Sequence, residues 1–424
     1  MPGWNGSEKD SMASSDFQVI TACRSCSSIN LVDILDLEAQ PLANAFVMNP
    51  EQQEKKYPLS TAFCMDCSLF QLRQTVRKEL LFDRYIWLTG TSAGARNYSH
   101  LFFRRVTDHV RIEKGDLIVE IASNDGTVLK PFMEAGYPVM GVEPAENVAQ
   151  IALASGVPTL CAYWNEKTAE SIVKSHGHAR LVIARNVIPH VSNLHEVISA
   201  LCHALDEDGV AVIEFHDGCT IFNDLHYDSI YHEHLCYFTI RSITALLGRF
   251  SLHPLHIETS PISGGSHVMY FSRSGKASEA YLQAVAYENN LHCNDLAAWN
   301  AFAGKCTAHK AETIELISRF RDKTVIGFGA SARSSTYLNY CNLTAASIKA
   351  VIDNNLLKQG LYTPGSSIPV VSVEKGMSLK PELIVILAWN FRDEIVQECK
   401  DNGFKGYYLI PFPQYPTLIE PESL

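Results

Sequence analysis

Two stretches of the sequence alternate short apolar runs with segments of helical spacing, and this alternation restricts the possible folds more than any other feature. The apolar runs of the first stretch are 117–121, 139–142, 181–184 and 210–215. Those of the second stretch, which follows a long helical segment at 278–320, are 324–328, 348–352, 383–387 and 407–409. Strands that alternate with helices favour mainly parallel sheets covered by helices on both faces. We therefore expect an α/β protein with two such units.

Length, charge and composition limit what such a protein can bind. The 424 residues exceed what one core usually serves, and 46% of them are hydrophobic, as in ordinary globular proteins. The formal net charge of −11 argues against the broad basic surface that nucleic acid or an acidic membrane selects. Residues 1–20 lack a basic start followed by an apolar run, and no segment approaches the roughly 18 apolar residues of a membrane span. We expect a disordered leader over 1–20, a cytoplasmic location, and neither nucleic acid nor a membrane as a partner.

Four of the twelve cysteines form two C-x-x-C pairs, Cys23 with Cys26 and Cys64 with Cys67, separated by 37 residues. Two residues between thiolates let one turn present both sulfurs to a tetrahedral ion, and two such turns complete a closed site. Cysteines of a cytoplasmic chain are expected to be reduced, so the spacing favours Zn²⁺ over disulfides. The alternative is four buried thiols without a metal. We predict a structural zinc that stabilises a small domain at 21–80.

The segment 119–126, Val-Glu-Ile-Ala-Ser-Asn-Asp-Gly, is typical of a strand that runs into a tight turn and a helix. Such a turn brings backbone amides against a ligand at the carboxyl edge of a parallel sheet. Glu143 follows the next strand, 23 residues after Glu120, where a carboxylate can accept hydrogen bonds from both ribose hydroxyls of an adenosine. The predicted cofactor-binding residues are Glu120, Ala122, Ser123, Asn124, Asp125, Gly126, Glu143, Pro144, Asn147 and Asn186.

The same layout serves NAD, so the spacing alone leaves two cofactors open. Three observations favour S-adenosylmethionine. The turn lacks the G-x-G-x-x-G pattern that binds a pyrophosphate. Glu120, which we expect within the loop region, would repel a pyrophosphate but suit a cationic ligand. The segment 185–190, Arg-Asn-Val-Ile-Pro-His, follows the apolar run 181–184, where class I methyltransferases usually bind the methionine end. The remaining alternative is a plain structural turn.

Tyr231-His232-Glu233-His234 is the densest cluster of titratable side chains in the sequence. Removal of a proton from carbon needs a positioned base, and the oxyanion that forms needs a hydrogen-bond donor. Histidine, with an unperturbed pKa of about 6.5, suits this role at neutral pH. Tyr231 and His234 could share one face of a helical turn, with Tyr231 or His190 donating to the oxyanion and Glu233 orienting an imidazole. Alternatively, this aromatic, hydrogen-bonded segment packs the two α/β units together.

The segment 327–333, Gly-Phe-Gly-Ala-Ser-Ala-Arg, is a second strand-to-helix glycine turn. Its amides could bind a diphosphate, and Arg333 could add a charge-assisted hydrogen bond. Polar side chains follow neighbouring strands of this unit, and the alternative is a purely structural domain. The predicted substrate-binding residues are Gly329, Ala330, Ser331, Arg333, Asn339, Asp353, Lys358, Gln359, Tyr362 and Trp389.

Further motifs stand in order along the chain with the cysteine pairs. They are PLANAF at 41–46, EIASNDG at 120–126, GVEPAENVA at 141–149, YDSIYHEHLCYF at 227–238, SGGS at 263–266, GFGASARSSTYLNY at 327–340 and DNNLLKQGLYTPGSSIPV at 353–370. Together they resemble the sugar C-methyltransferases of deoxysugar biosynthesis, from Cys23 to about Trp389. The resemblance implies a zinc-binding region at 21–80, a class I S-adenosylmethionine-dependent (Rossmann-like) methyltransferase domain at 81–250, and a second Rossmann-like, nucleotide-sugar-binding domain at 251–424.

The resemblance also implies roles for residues of the reacting centre. His234 would be the base, and Tyr231, Glu233, His190 and Tyr85 would also face the reacting sugar.

Three positions depart from the family's usual pattern. Ala122 stands in place of a glycine, Ser263 in place of a common histidine, and Arg333 in place of a common lysine. Positions 263 and 333 lie on the substrate side, so these two departures bear on the identity of the sugar more than on the type of reaction.

These features predict an enzyme that transfers a methyl group from S-adenosylmethionine to a nucleotide-linked 4-keto-deoxysugar, at the carbon next to the ketone, with carbon 3 as the expected position. We expect a monomer. Two other functions stay open: an NAD-dependent nucleotide-sugar oxidoreductase or epimerase, and a non-catalytic protein that binds nucleotide sugars.

Overall fold

The computed structural model describes residues 16–82, 88–91 and 93–421. Tyr85, predicted to face the substrate, lies outside the described residues, as do residues 1–15 of the expected leader. Within that leader, strand β1 (Phe17–Val19) pairs antiparallel with β5 (Gln74–Val76). The disorder expected up to residue 20 therefore does not extend to these residues.

The N-terminal unit is built on a four-stranded antiparallel sheet with a strand from a distant part of the chain. Its own elements, besides β1 and β5, are β2 (Leu31–Gln40), β3 (Tyr57–Cys64), β4 (Phe70–Leu72) and α1 (Lys78–Phe82). The fourth strand is β11 (Cys236–Tyr237), which follows the Tyr231–His234 segment and pairs with β4. The segment with the most titratable groups is thus tied to the N-terminal unit.

The first α/β unit contains a seven-stranded sheet in the order β12-β13-β10-β9-β6-β7-β8. Its elements are α2 (Ala93–His109), β6 (Leu117–Ile121), α3 (Leu129–Glu134), β7 (Val139–Val142), α4 (Glu146–Ala154), β8 (Thr159–Leu160), α5 (Glu166–His176), β9 (Ala179–Arg185), α6 (Leu194–Ala204), β10 (Leu205–His216), α7 (Gly218–Asn223), α8 (Ile240–Gly248), β12 (His253–Ser260) and β13 (Ser266–Ser272). Strands β10, β9, β6, β7 and β8 are parallel. Every residue of β6 is buried, as expected for a strand covered on both faces.

Two strands of this sheet follow residue 250, where the sequence suggested a domain boundary. Strand β13 runs antiparallel to both β10 and β12, so the sheet continues to Ser272. Only a three-residue 3-10 helix, Ile262–Gly264, separates β12 from β13, which is why the strand–helix alternation does not reveal them.

The second α/β unit carries a six-stranded sheet in the order β16-β15-β14-β17-β18-β19, parallel except for the edge strand β19. The elements are α9 (Glu279–Leu291), α10 (Leu296–Ser318), β14 (Val325–Phe328), α11 (Ala332–Tyr340), β15 (Val351–Ile352), β16 (Val370–Val371), α12 (Val373–Ser378), β17 (Leu383–Ile386), α13 (Arg392–Asp401), β18 (Tyr407–Ile410) and β19 (Thr417–Ile419). The long segment expected at 278–320 is the pair α9 and α10, because His292 adopts a φ of +57° and ends α9.

The three units share one hydrophobic core that runs from Cys23 to Phe412. For example, Phe70 of β4 stacks on the fully buried Trp299 of α10, with ring centroids 3.9 Å apart. A disulfide joins Cys219 to Cys293, so the expectation of reduced cysteines is wrong for this pair. Among the described helices, none is long and apolar enough to span a membrane.

Candidate functional site

The four cysteines of the C-x-x-C pairs come together at the edge of the N-terminal sheet. All four sulfurs lie within 4.8 Å of one another, with Cys23 Sγ 3.6 Å from Cys67 Sγ and Cys26 Sγ 3.4 Å from Cys64 Sγ. Sulfurs bound tetrahedrally to Zn²⁺ at about 2.3 Å would be about 3.8 Å apart, close to these distances. The donor set and its spacing therefore fit a closed four-sulfur zinc site.

The loop after β6 turns sharply through three residues with left-handed backbone. Ala122, Asn124 and Gly126 all adopt positive φ, at 53°, 51° and 77°. Glu143, at the end of the neighbouring strand β7, accepts hydrogen bonds from Asn124 N at 3.0 Å and Ala145 N at 2.9 Å. Its carboxylate therefore fixes the turn from the side where an adenosine ribose would be bound.

The other predicted cofactor residues lie at the same edge of the sheet. Asp125 accepts a hydrogen bond from Gly90 N at 2.7 Å, and Asn124 accepts one from Thr89 N at 2.9 Å, which brings the segment 88–91 over the turn. Asn186 directly follows β9, and its backbone amide donates a hydrogen bond to the backbone carbonyl of Glu214. The remaining three residues are the buried Ser123 next to Asn124, Pro144 after β7, and the exposed Asn147 in the first turn of α4.

Glu120 lies inside strand β6, not in the loop region as the sequence suggested. It is 3% exposed, and among the described residues its Oε2 has no hydrogen-bond partner. Burial raises the pKa of Glu120 to about 8, although the nearby Arg185 guanidinium opposes this shift. A buried carboxyl group of this kind would gain from a bound cation, because the cation favours its charged form.

A buried polar network beneath this edge was not anticipated from the sequence. The guanidinium of Arg185 donates to Glu214, which also accepts hydrogen bonds from Tyr98 at 3.2 Å and Ser260 at 2.6 Å. Glu214 is fully buried in β10, and its charge interrupts the otherwise apolar segment 210–215. That interruption is the sequence signal that could have revealed the network.

The candidate reacting centre combines Tyr231, His234 and His190. The Nδ1 atom of His234 lies 2.8 Å from the carbonyl oxygen of Ser229, so Nδ1 carries the proton and donates. The Nε2 atom is then an acceptor, and it receives the Tyr231 hydroxyl at 2.7 Å. The rings of His190 and His234 lie 4.7 Å apart. His190 follows β9, so this group of rings lies at the same sheet edge as the candidate cofactor site.

Burial keeps both imidazoles neutral. It lowers the pKa of His190 to about 4 and that of His234 well below its ordinary value, with the neighbouring His190 adding to the second effect. Glu233 is 5% exposed, and burial raises its pKa to about 7. Its Oε1 atom accepts a hydrogen bond from Asn44 at 2.7 Å, so this contact is with the N-terminal unit and not with an imidazole.

Arg333 and Trp389 of the second unit meet Asp228 of the first. The guanidinium of Arg333 donates two hydrogen bonds of 3.0 Å to the Asp228 carboxylate, which also accepts Trp389 Nε1 at 2.8 Å. Asp228 lies three residues before Tyr231, and the sequence did not single it out.

The glycine turn of the second unit is held by Asp353, which accepts Ala330 N at 2.8 Å. A Cβ on Gly329, whose φ is 101°, would lie 2.3 Å from the side chain of Ala388, so only glycine fits there. Lys358 Nζ donates to the carbonyl of Ala330 at 2.7 Å, and Gln359 Nε2 donates to the carbonyl of Asp353 at 2.9 Å.

Three predicted substrate residues have structural contacts instead. Ser331 caps α11 in a reciprocal capping box. Asn339 Nδ2 donates to the carbonyls of Ser335 and Pro364, and the backbone of Tyr362 pairs with that of Val47. These contacts hold Asn339 and the backbone of Tyr362 in place, and they leave the predicted substrate roles of the three residues untested.

Comparisons with known proteins match the three units in order. The family described as "Putative zinc binding domain" matches residues 23–82, "Methyltransferase domain" matches 95–257, and "C-methyltransferase C-terminal domain" matches 261–413. The C-methyltransferase NovU of Streptomyces niveus is 30% identical over 414 residues, which cover 95% of this chain and 98% of that protein.

Similar solved structures cover less than half of the chain. The magnesium protoporphyrin IX methyltransferase of Synechocystis PCC 6803 with bound S-adenosylmethionine is 14% identical with a TM-score of 0.32, over 43% of this chain and 79% of that one. A methyltransferase from Anabaena variabilis is 14% identical with a TM-score of 0.37, over 46% and 91%. Scores this low support no conclusion about this chain.

The expected fold class is confirmed: a class I methyltransferase α/β unit, a small N-terminal unit with four clustered cysteines, and a second α/β unit. Because the three family models match in order and a relative of 30% identity is matched along almost its whole length, the chain belongs to the S-adenosylmethionine-dependent C-methyltransferases that combine a zinc-binding, a methyltransferase and a C-terminal C-methyltransferase domain.

Proposed function

We propose that this enzyme methylates the carbon next to the ketone of a nucleotide-linked 4-keto-deoxysugar, at carbon 3, with His234 as the base. The observation that carries the proposal is the pair of His234 and Tyr231 at the sheet edge that also holds Glu120 and Glu143. Bound S-adenosylmethionine would supply an electrophilic methyl group at this edge.

The hydrogen bonds of His234 prepare its Nε2 atom to take a proton. Since Nδ1 donates to the carbonyl of Ser229, the lone pair of Nε2 faces the Tyr231 hydroxyl. Burial lowers the pKa of His234, which keeps the ring in the neutral form that accepts a proton but also weakens it as a base, and the hydrogen bond to the Ser229 carbonyl opposes this shift. The proton of the sugar carbon would pass to Nε2 while the enolate oxygen develops charge.

Two groups near His234 can stabilise that oxygen. The Tyr231 hydroxyl would turn from Nε2 to the ketone oxygen when the substrate binds, which frees the Nε2 lone pair for the proton, and the His190 ring lies beside His234. Donors in a buried site stabilise an oxyanion more than donors in water, since little solvent screens them.

The second unit is the proposed site for the nucleotide. The backbone amides of its glycine turn already have acceptors in the protein, so Arg333 and Lys358 would bind the diphosphate. The Arg333 guanidinium lies 4.6 Å from the ring centroid of Trp389, which borders a groove of about 260 Å³ lined also by Gly264, Asn390, Arg392, Asp393 and Glu394. Gly264 belongs to the first unit and Trp389 to the second, so a ligand in the groove contacts both. A nucleotide bound there would direct its sugar toward Asp228 and the reacting centre.

We also propose that the four-cysteine site holds a structural zinc. The unit it stabilises supplies Asn44 to Glu233 and strand β4 to β11. Zinc would therefore support the reacting segment from outside, without an open position for substrate.

The proposal predicts that His234→Ala lowers kcat by about 100- to 10,000-fold, because general base catalysis contributes this much. Binding of S-adenosylmethionine should be unchanged. In deuterated water without the methyl donor, the wild type should exchange the hydrogen next to the ketone, and His234→Ala should not. The mass of the product measures methyl transfer, and nuclear magnetic resonance of the sugar measures hydrogen exchange. Both are followed with a panel of nucleotide-linked keto-sugars.

His232→Gln is the matched control, since His232 belongs to the same segment but its Nε2 contacts the carbonyls of Tyr57 and Pro58. It should keep most of the activity. Near-normal turnover of His234→Ala would exclude it as the base, and exchange without methylation of any keto-sugar would exclude the proposed substrate class.

A further inference from the structure

A second cluster of metal-ligating side chains lies on the outer edge of the first α/β unit. It consists of His109 at the end of α2, with His256 and Glu258 on the edge strand β12. One ligand atom from each residue lies within 4.8 Å of the other two. Residues two apart on a strand share a face, so His256 and Glu258 point the same way.

Two sheet strands separate this cluster from the cofactor edge. Strand β12 pairs with β13, β13 with β10, and only then comes β9. At about 4.8 Å per strand, the cluster is about 14 Å from β9 along the sheet. It is therefore a different place from both the cofactor turn and the four cysteines.

Neighbouring groups hold the ligands in place, as is usual around bound metals. The Nδ1 atom of His256 lies 2.9 Å from Ser278 Oγ, which fixes the plane of its ring. The hydroxyl of Tyr270 donates to Glu258 Oε2 at 2.8 Å. The other oxygen, Oε1, lies 3.6 Å from Nε2 of His109, and the two imidazole rings are 3.9 Å apart.

We propose that His109, His256 and Glu258 bind a divalent transition-metal ion such as Zn²⁺. Two imidazoles and one carboxylate suit zinc and similar ions more than Mg²⁺ or Ca²⁺, which prefer oxygen ligands. The side chain of His109 is 36% exposed, so an ion can enter from solvent, and water would complete its coordination. The bound ion would link helix α2 to the edge of the sheet.

Arg105 is a nearby cation that opposes such an ion. Its Nε atom lies 3.9 Å from Glu258 Oε1, while its Nη1 atom donates to the carbonyl of Thr259. The guanidinium therefore stays close to the site and competes electrostatically with a bound ion. Removal of Arg105 should therefore strengthen metal binding, whereas removal of a histidine ligand should weaken it.

In the test, full-length protein that retains zinc in its four-cysteine site is titrated with Co²⁺. The wild type should bind one additional equivalent, with the weak absorption of nitrogen and oxygen ligands and without the sulfur-to-cobalt charge-transfer bands of a cysteine site. Both His109→Ala and His256→Ala should weaken this binding by about tenfold or more. Arg105→Gln should bind Co²⁺ more tightly than the wild type.

His176→Ala is the matched control, because His176 is exposed and its ring contacts only the adjacent Ser175 in the described hydrogen bonds. It should bind like the wild type. Added Zn²⁺ should also raise the Tm of the wild type and of His176→Ala, but not of His109→Ala. Absence of the additional equivalent in the wild type, or equal binding by all variants, would overturn the proposal, whatever the methyl-transfer activity.

Discussion

The two α/β units begin with the same local arrangement and differ in the charges around it. In the first unit, the Glu143 carboxylate accepts a hydrogen bond from the backbone amide of Asn124. In the second unit, the Asp353 carboxylate accepts one from the backbone amide of Ala330. In each, a carboxylate at the end of the neighbouring strand holds the turn after the first strand. The backbone of the two sites is therefore prepared in the same way.

The ionisable groups nearby would suit ligands of opposite sign, although each cation of the second turn already has a carboxylate partner. Glu120 lies buried beneath the first turn, and Asp125 lies within it. Arg333 and Lys358 lie beside the second turn. A sulfonium donor would suit the first site and a diphosphate the second. One structural motif can thus serve two ligands when the side chains around it change the local charge.

The largest expected effect comes from the cation of the second unit. Arg333→Gln removes the partner of Asp228, whose side chain is 1% exposed, and leaves a buried carboxylate without its cation. Removing one partner of a buried pair costs about 3–5 kcal/mol in the free energy of unfolding. Denaturant unfolding measures this loss, and the double variant with Asp228→Asn should recover much of it. A stable Arg333→Gln that loses only substrate binding would show that the cation serves the ligand alone.

The next largest effect distinguishes the role of Glu143 from that of Asp353. Glu143→Ala should weaken binding of S-adenosylmethionine by about tenfold to a hundredfold, since hydrogen bonds to a charged group contribute about 1.5–3 kcal/mol. Asp353→Ala should weaken binding of a nucleoside diphosphate and leave the methyl donor unaffected. Calorimetry with each ligand tests the comparison. If both variants weakened the same ligand, the assignment of one ligand to each unit would be wrong.

The smallest effect is a pH dependence of the first site alone. Burial raises the pKa of Glu120 to about 8, and a bound cation favours the carboxylate, so binding of the donor releases a proton. Affinity should therefore rise about tenfold from pH 6 to pH 7, as one proton per site requires, and level off above pH 8. Glu120→Gln should remove the dependence. An unchanged profile in this variant would assign the titration to another group.

Short patterns in the sequence predicted the elements that local geometry decides. The spacing of the cysteine pairs indicated the four-sulfur cluster, because two intervening residues form one turn. The apolar runs predicted β6, β7, β14, β17 and β18 to within one residue of their observed bounds, whereas the two-residue parallel strands β8 and β16 were not predicted. The apolar pattern did not predict strands β12 and β13, because they form a hairpin at the sheet edge.

Contacts between distant residues could not be predicted in this way. Asn44 and Glu233 are 189 residues apart, Trp389 and Asp228 are 161 apart, and only packing of the three units brings them together. The buried network of Arg185, Glu214 and Tyr98 depends in the same way on helix α2 lying on the sheet.

By itself, the sequence determined the α/β class, the cysteine cluster and the two glycine turns, since each depends on residues close together along the chain. The tertiary structure alone decided which side chains meet at the reacting centre. It placed Glu120 inside a strand, turned Glu233 toward Asn44, and engaged Arg333 with Asp228. Burial and the choice among competing partners are properties of the packed molecule, and no local pattern encodes them.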